Sequence, residues 1–277
     1  MAALGRRSGS AQAINTGTSH AYIGANSGVS AFYDGVLNEV VIYESVLSTS
    51  DRETVQSHLA LKYGITLGHD YVASDGTTLW DVSTNAAYQN EVAGIGRDDD
   101  GNQNQKQSDS GILTVALCAA AATNAANSNS FSIDLTFLVV GHNGGALTES
   151  PVTISSTPGQ RLGRTWFVEE TGETGTLEVQ IDLTGLSPTG TDAADFFLVL
   201  DTDADPTNGT RDLIRASTFA SDIATFSSVD LEDSDYLMLL TDYEAGRNDP
   251  PLTNGQAAAG VLGQSGLSSS SLGVSAS

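Results

Sequence analysis

Apolar and polar positions alternate along most of the chain between residues 68 and 245. The alternating runs are short, and clusters of Gly, Asn, Asp and Pro separate them. Because successive side chains of a strand point to opposite faces, such runs predict β-strands with one buried face. The runs are GILTVALC, FSIDLTFLVVGH, RTWFVEE, GTLEVQIDL, ADFFLVLD, IATFSSVDL and DYLMLLTDY. We therefore predict an all-β fold, an antiparallel β-sandwich of the jelly-roll or immunoglobulin-like type.

One stretch follows a different period. In LSTSDRETVQSHLALKYG, residues 47–64, the apolar residues Val55, Leu59 and Tyr63 fall at i, i+4 and i+8. This spacing places them on one face of a helix. The sequence predicts a short amphipathic helix whose Val55, Leu59 and Tyr63 face packs on a sheet.

The ends of this helix carry recognisable caps. Ser48 followed by Asp51, or Ser50 followed by Glu53, provides an N-cap with an acidic residue three positions later. Gly64 suits the left-handed position that ends many helices. The helix is therefore expected to stop at Gly64 and to pass the chain directly to the next strand.

Two further strand-like runs precede the helix. They are HAYIGAN and GVLNEVVIYES, which spans residues 35–45. In the second run, Val40 and Ile42 would face one side, and Val41 and Tyr43 the other. Two or three strands do not close a sandwich alone.

The segment GVLNEVVIYESVLSTSDRETVQSHLALKYGITL, residues 35–67, resembles the closing strand and trailing helix of concanavalin-A/laminin-G-like jelly-roll domains. These domains occur in large bacterial surface proteins and adhesins. YVASDGTTLWD (71–81) and VAGIGRDDDGNQNQKQS (92–108) are similar to the β-sandwich module that follows such domains. The resemblance implies that the helix is the seam between the end of a jelly roll and a second β-sandwich. It also implies that the rest of the jelly roll is missing or is supplied by another chain.

The chain therefore divides into three parts. Residues 1–67 form partial laminin-G-like strands and their closing helix, residues 68–245 form the β-sandwich, and residues 246–277 form a Gly-, Ser- and Ala-rich tail. Such a tail is a linker or is held by another subunit. We expect a homo-oligomer or filament that assembles through the N-terminal strands and this tail.

The charge of the chain restricts the classes of partner and the cellular locations that we expect for it. Acidic residues number 34 against 11 basic ones, for a net charge of -23 and a pI of about 4.1. Such a surface repels nucleic acid and anionic membranes. The sequence contains no apolar stretch long enough for a membrane helix, and its N-terminus lacks the apolar region of a signal peptide. We expect an extracellular or bacterial cell-surface location, without membrane insertion, so that either export uses another route or the sequence is a mature or truncated product.

Three residues are predicted to lie in the interior. The only cysteine, Cys118, falls in the apolar run ILTVALCAAAA, which predicts a buried, unreactive thiol. Trp80 and Trp166 are predicted to anchor the core rather than to bind a ligand. A single cysteine excludes an intramolecular disulfide.

The sharpest chemical motif is DTDADPTNGTRD, residues 201–212. Asp201, Asp203 and Asp205 alternate, and Asp212 follows at the twelfth position. Carboxylate oxygens at this spacing suit Ca²⁺. The loop is not an EF-hand, because Pro206 replaces the required glycine and a strand leads into the loop. The alternative is an ordinary solvated acidic turn.

A second acidic turn, GRDDDGN at residues 96–102, is a weaker calcium candidate through Asp98 and Asp100. Three successive acidic residues cannot all point at one ion, so at most two of them would contribute.

Motifs for catalysis are missing from the sequence. It contains no HExxH and no GxSxG, and the adjacent Glu169 and Glu170 would face opposite sides of a strand. We expect the protein not to be an enzyme.

The favoured function is that of a secreted bacterial structural or adhesive surface protein. This expectation includes self-assembly of the protein into an extracellular fibre. One alternative is a carbohydrate-binding, lectin-like module of a surface adhesin, although aromatic residues make up only 6% of the chain. The third possibility is an accessory domain of a glycan hydrolase.

Overall fold

The fold is taken from a computed structural model, which describes residue 23, residues 32–209 and residues 212–243. The predicted tail and, apart from Ile23, the predicted strand HAYIGAN lie outside the described residues. Within the described residues the α-helix α1 spans Thr49–Tyr63, and short 3-10 turns span Ala86–Tyr88 and Ala193–Asp195.

Fifteen strands make up the remaining regular structure of the described residues. In chain order they are β1 Tyr71–Val72, β2 Thr78–Trp80, β3 Asn90–Asp98, β4 Gln103–Gln105, β5 Gln107–Ser110, β6 Leu113–Leu117, β7 Thr136–His142, β8 Glu149–Ile154, β9 Thr157–Thr171, β10 Leu177–Asp182, β11 Phe197–Asp201, β12 Asp212–Arg215, β13 Thr218–Ala220, β14 Ile223–Val229 and β15 Tyr236–Thr241.

These strands form two large antiparallel sheets. One has five strands in the order β13-β14-β10-β6-β5. The other has eight, in the order β12-β11-β15-β9-β7-β3-β4, with β8 paired to β9. Strands β1 and β2 form a separate small hairpin. The predicted all-β sandwich is confirmed, and each of the seven alternating runs contains a strand.

The main core lies between the two large sheets. Trp166 on β9 is fully buried there, and its indole N–H donates to the Ser110 carbonyl oxygen at 3.2 Å. Ser110 belongs to β5 of the opposite sheet, so this bond links the two layers. A second core, which contains the fully buried Trp80, lies between the other face of the eight-stranded sheet and α1. Both tryptophans are core anchors, as predicted.

The prediction for Cys118 is wrong, because this residue is exposed. Strand β6 ends at Leu117, and Cys118 has a φ of 58° in the turn that follows. The apolar alternation thus ends one residue earlier than the Ala-rich sequence indicates.

The helix begins and ends where the caps predict. Ser48 Oγ accepts from the Asp51 backbone N–H at 3.1 Å, and Asp51 Oδ2 accepts from the Ser48 N–H at 3.3 Å. Of the two predicted caps, the structure uses the one at Ser48. At the other end Gly64 takes the left-handed conformation, with a φ of 61°, which glycine adopts without strain.

The face of α1 that packs on the sheet differs from the predicted one. Its buried residues are Ser57, Ala60 and Leu61, whereas the predicted stripe of Val55, Leu59 and Tyr63 is only partly buried. The prediction for this face is therefore wrong.

The physical reason is a close approach of the helix to the sheet. A Cβ atom at Gly94 of β3 would lie 3.2 Å from Leu61 Cδ2 and 2.7 Å from the Leu138 carbonyl oxygen. The small side chain of Ser57 fits beneath the helix, and its Oγ accepts from the Val72 N–H at 2.9 Å. The larger Val55 and Leu59 are turned toward the residues upstream of the helix.

The upstream segment, defined here as residues 32–46, contains no strand although the structure describes all of it. The predicted strand over 35–45 is therefore wrong for this chain, which provides no strand to pair with it among the described residues. Of the eleven large hydrophobic side chains exposed in the described part of the chain, nine lie in this segment. They are Phe32, Tyr33, Val36, Leu37, Val40, Val41, Ile42, Tyr43 and Val46.

In the residues that the structure describes, no helix combines the length and the apolar character that a membrane crossing requires.

Candidate functional site

A cleft runs along α1 between the upstream segment and the edge strand β4. Glu39 fixes the upstream segment to the helix, because its Oε2 accepts from Lys62 Nζ at 2.8 Å and from the Tyr63 hydroxyl at 2.9 Å. Two adjoining cavities of 370 and 390 Å³ make up this α1 cleft. Both are lined by Tyr43, Val55, His58, Gly101 and Asn102.

The two walls of the α1 cleft differ in chemistry. One wall is apolar, with Val41 and Tyr43 from the upstream segment and Val55 and Leu59 from the helix. The other wall is formed by amide side chains of the β3–β4 turn, β4 and a facing loop. These are Asn102, Gln103, Asn104, Gln105 and Asn124.

Beneath the cleft, the buried Asp98 joins its own turn to the segment around Ser74. Its carboxylate accepts from the Ser74 N–H at 2.8 Å, from Ser74 Oγ at 2.6 Å and from the Gly101 N–H at 2.8 Å. Burial would raise the Asp98 pKa, but the hydrogen bonds from Ser74 and Gly101 outweigh it, and the pKa lies below its ordinary value. Asp98 is therefore an ionised anchor.

His58 on α1 is the third residue beside this anchor. Its Nε2 lies 3.4 Å from Asp98 Oδ2, which is an ion-pair distance but does not satisfy hydrogen-bond geometry. Burial lowers the His58 pKa more than Asp98 raises it, so the imidazole is neutral at pH 7. The Ser74 hydroxyl donates to Asp98 and not to His58. This arrangement differs from that of a serine nucleophile, in which the hydroxyl pairs with the imidazole.

A second polar cluster lies at the C-terminal end of α1. His142 Nε2 is 2.9 Å from Glu91 Oε2, and Arg164 Nη1 is 4.0 Å from the same oxygen. Because His142 Nδ1 accepts from the Gly144 N–H at 3.0 Å, the imidazole proton resides on Nε2 and is donated to Glu91.

In this cluster, the backbone of Glu91 is strained and the pKa of His142 is shifted. Glu91 has a φ of 47°, a strained value for a residue other than glycine, and its N–H donates to Thr66 Oγ1 at 3.2 Å. Burial lowers the His142 pKa, against the opposing effect of the bond to Glu91. Since both ring nitrogens are engaged, His142 is a poor general base and acts as a fixed donor to Glu91.

The structure places the acidic residues of the predicted calcium loop at different depths. Asp201 ends β11 and is buried, its Oδ1 accepts from the Thr202 N–H at 2.7 Å, and its Oδ2 has no partner among the described residues. Burial raises the Asp201 pKa. Asp212 is an exposed residue opposite Leu200 in the β11–β12 pair, so Asp201 and Asp212 both lie at the base of the loop.

Asp203 and Asp205 are exposed and cap turns within the loop. Asp203 Oδ1 accepts from the Asp205 N–H at 2.8 Å, and its Oδ2 accepts from Asn208 Nδ2 at 2.9 Å. Asp205 Oδ1 accepts from the Thr207 N–H at 3.0 Å and from the Thr207 hydroxyl at 2.6 Å. These bonds to Thr207 lower the Asp205 pKa.

These acidic residues do not form a ready cation cage. Across residues 32–209 and 212–243, no three His, Cys, Asp or Glu side chains lie close enough to hold a metal ion together. In the weaker candidate turn, Asp98 is buried under the cleft, whereas Asp100 is exposed at one end of it. A Ca²⁺ ion in the 201–212 loop would require its carboxylates to move together, and calcium binding stays a prediction.

This prediction is tested by thermal melting. We expect the melting temperature to rise with millimolar Ca²⁺ and to fall with a chelator, by the equivalent of roughly 1–2 kcal/mol for a dissociation constant of about 10⁻⁴ M. Mg²⁺ should stabilise less, because it requires a tighter octahedral shell. The double variant Asp203→Asn/Asp205→Asn keeps side chains that can cap the turns, but it should lose the response to Ca²⁺. Identical melting curves with Ca²⁺ and with chelator would contradict the prediction that this loop binds calcium.

Sequence reasoning overlooked the roles of Asp98, Glu91 and His142. The acidic run around Asp98 predicts only a calcium ligand, although the position of Asp98 at the end of the apolar run VAGIGRD is a signal of a strand-end polar anchor. His142 likewise ends the apolar run FLVVGH. For Glu91 the sequence offers no comparable signal, because its role depends on the left-handed backbone.

Comparison with known proteins gives one match. Residues 51–235, about two thirds of the chain, match the family described as Domain of unknown function (DUF8202). Searches of curated proteins and of solved structures found no significant match. The matched region begins inside α1 and ends just before β15, so it covers the His142 cluster, most of both sheets and the β4 wall of the cleft, but not the wall formed by the upstream segment. The chain therefore belongs to this family of domains of unknown function.

Proposed function

We propose that the chain is a structural or adhesive module of an extracellular bacterial surface protein, in which the upstream segment attaches each copy to a neighbouring copy. The observation that carries this proposal is the run of exposed hydrophobic side chains over residues 32–46. Isolated exposed hydrophobics are ordinary, whereas a contiguous apolar stretch marks an interaction surface.

Apolar side chains alternate between the two sides of the upstream segment. This pattern supports a strand that has α1 on one face and a neighbouring copy on the other. Val40 and Ile42 are 50% and 77% exposed on one side, and Val41 and Tyr43 are 45% and 41% exposed on the other. The inner pair lines the α1 cleft. The outer pair, Val40 and Ile42, lines neither cavity, and pairing with a neighbouring copy would bury it and satisfy the backbone.

The helix supports the same proposal. Its buried side holds the sandwich, while Val55 and Leu59 face the upstream segment. Helix α1 thus contacts both the sandwich and the segment that we expect to join a neighbour. The net charge of -23 is suited to a protein kept soluble in a saline exterior.

The proposal is tested with the double variant Val40→Asp/Ile42→Asp. Full burial of one such side chain stabilises by about 1.5–3 kcal/mol, so we expect association to weaken at least about a hundredfold. The parent protein should form concentration-dependent oligomers or filaments in sedimentation velocity and negative-stain microscopy. The double variant should sediment as a monomer with an unchanged melting temperature.

The matched control is Ile133→Asp, which places the same charge at an exposed isoleucine, 60% accessible, far along the chain from the upstream segment. It should assemble like the parent. A parent that stays monomeric at every concentration, or a double variant that assembles unchanged, would contradict the proposed function.

A further inference from the structure

We propose that the α1 cleft binds a neutral oligosaccharide. This inference goes beyond the proposed function, because a ligand in the cleft does not depend on whether copies of the chain assemble.

The amide wall supplies the recognition chemistry. Each Asn or Gln side chain presents both donors and acceptors, as each hydroxyl of a sugar does. A carboxylate can only accept and an ammonium group can only donate, so amides match hydroxyls better than they match charged groups. Asn102 and Asn104 are exposed in the cleft and are free to turn toward such a ligand.

The floor of the cleft contains polar atoms without partners. Both amide atoms of Gln103 are covered, yet they make no hydrogen bond to any described residue. An unsatisfied buried polar group costs about 1–3 kcal/mol. Gln103 lines the cleft, and rotation of its side chain toward a ligand hydroxyl would supply the absent partners, which favours a polar occupant.

The opposite wall matches the apolar side of a sugar. Tyr43 and Val41 are about half exposed and line the cleft. A pyranose ring carries C–H groups on its faces, and an aromatic ring with a polar tip contacts such a face while its hydroxyl stays hydrated. The cleft thus combines one apolar wall with one wall whose side chains donate and accept hydrogen bonds.

The shape and the charge of the cleft indicate the length and the charge of its ligand. The two cavities join along a helix of 15 residues, about 22 Å long, which favours a chain over a single sugar. The Lys62 charge is already paired with Glu39. Asp51 and Asp100 line one end, so an anionic saccharide would be repelled.

An uncharged peptide that adds as a strand to β4 is the competing occupant. The outward backbone groups of this edge are already bonded, however. Asn124 Nδ2 donates to the Asn104 carbonyl oxygen at 2.9 Å, and Asn124 Oδ1 accepts from the Lys106 N–H at 2.5 Å. The edge therefore has few free groups for β-augmentation, and the observations favour a saccharide.

The test titrates the full chain with neutral hexasaccharides. The panel contains cellohexaose, laminarihexaose, maltohexaose, xylohexaose and mannohexaose, with an oligogalacturonate as the anionic comparison and an uncharged Ser/Thr peptide as the competing ligand. Binding is measured by calorimetry and by amide chemical shifts. We expect at least one neutral hexasaccharide to bind in the millimolar range or tighter, with shifts at residues 101–105, and the oligogalacturonate to bind more weakly.

Two variants and two matched controls assign the binding to the cleft. Tyr43→Ala and the double variant Asn102→Gly/Asn104→Ala should each weaken binding about tenfold. Glycine at position 102 keeps the left-handed backbone, where φ is 51°. The controls Tyr33→Ala and Asn208→Ala change an exposed tyrosine and an exposed amide outside the cleft, and they should bind like the parent.

Three results would overturn the proposal. They are the absence of binding by every neutral hexasaccharide, binding of the peptide alone, and saccharide binding that neither cleft variant weakens. Melting temperatures near that of the parent in all four variants would show that the comparison concerns binding and not folding.

Discussion

The variant Asp98→Ala is expected to lower the free energy of unfolding by roughly 3–5 kcal/mol. The substitution removes the acceptor of three hydrogen bonds and leaves two backbone N–H groups and the Ser74 hydroxyl without it. It also removes the charge beside His58 on α1. Chemical denaturation or thermal melting measures the loss, which corresponds to a melting temperature lower by roughly 10 °C.

The control for this variant is Asp100→Ala. Asp100 lies on the same turn but is exposed, and its removal should change the stability by less than about 0.5 kcal/mol. If Asp98→Ala were as mild as Asp100→Ala, Asp98 would not anchor the turn. The α1 cleft would then lack the fixed floor that the structure assigns to it.

The second large effect is expected for Trp166→Ala, which should destabilise the fold by about 3–5 kcal/mol. The indole is fully buried between the two large sheets and donates to the carbonyl oxygen of Ser110 on the opposite sheet. Alanine would leave a large cavity in the main core and an unpaired carbonyl at its edge. Denaturant unfolding followed by circular dichroism measures the change.

The variant Trp166→Phe separates packing from hydrogen bonding. Phenylalanine keeps most of the apolar contact but cannot donate to Ser110, and a loss of about 1–2 kcal/mol is expected. Equal losses for Phe and Ala would mean that the hydrogen bond, and not the filled core, accounts for the role of Trp166. Losses near zero for both would contradict the position of Trp166 in the core.

Local features of the fold could be predicted from the sequence. The capping box joins Ser48 to a residue three positions away, and Gly64 directly follows the helix, so both ends of α1 follow from short-range chemistry. The strands of the sandwich follow from alternation. Trp80 and Trp166 are large and apolar enough to be placed in a core without knowledge of their neighbours.

Features that depend on distant partners could not be predicted. The buried face of α1 is decided by Gly94, which lies more than thirty residues after Leu61 and permits a close approach. Asp98 is an anchor because Ser74, 24 residues earlier, returns to donate to it. Its acidic neighbours suggest a cation instead, since the sequence does not reveal that Asp98 is buried.

The upstream segment is predicted to be a strand and is not one in the structure. Its alternation predicts a strand, but a strand requires a partner, and none is present among the described residues. The same side chains that made the strand prediction reasonable are therefore left exposed. We interpret this mismatch as the mark of an intermolecular contact, in agreement with the proposed function.

Amide hydrogen exchange of residues 35–45 tests the central proposal most directly. The measurement compares the full chain at low protein concentration, where it is dispersed, with the same chain at high concentration. If neighbouring copies cover the upstream segment, these amides should exchange rapidly when dispersed and at least about a hundredfold more slowly when assembled, while β7 exchanges slowly throughout. Rapid exchange of residues 35–45 at every concentration would contradict the account.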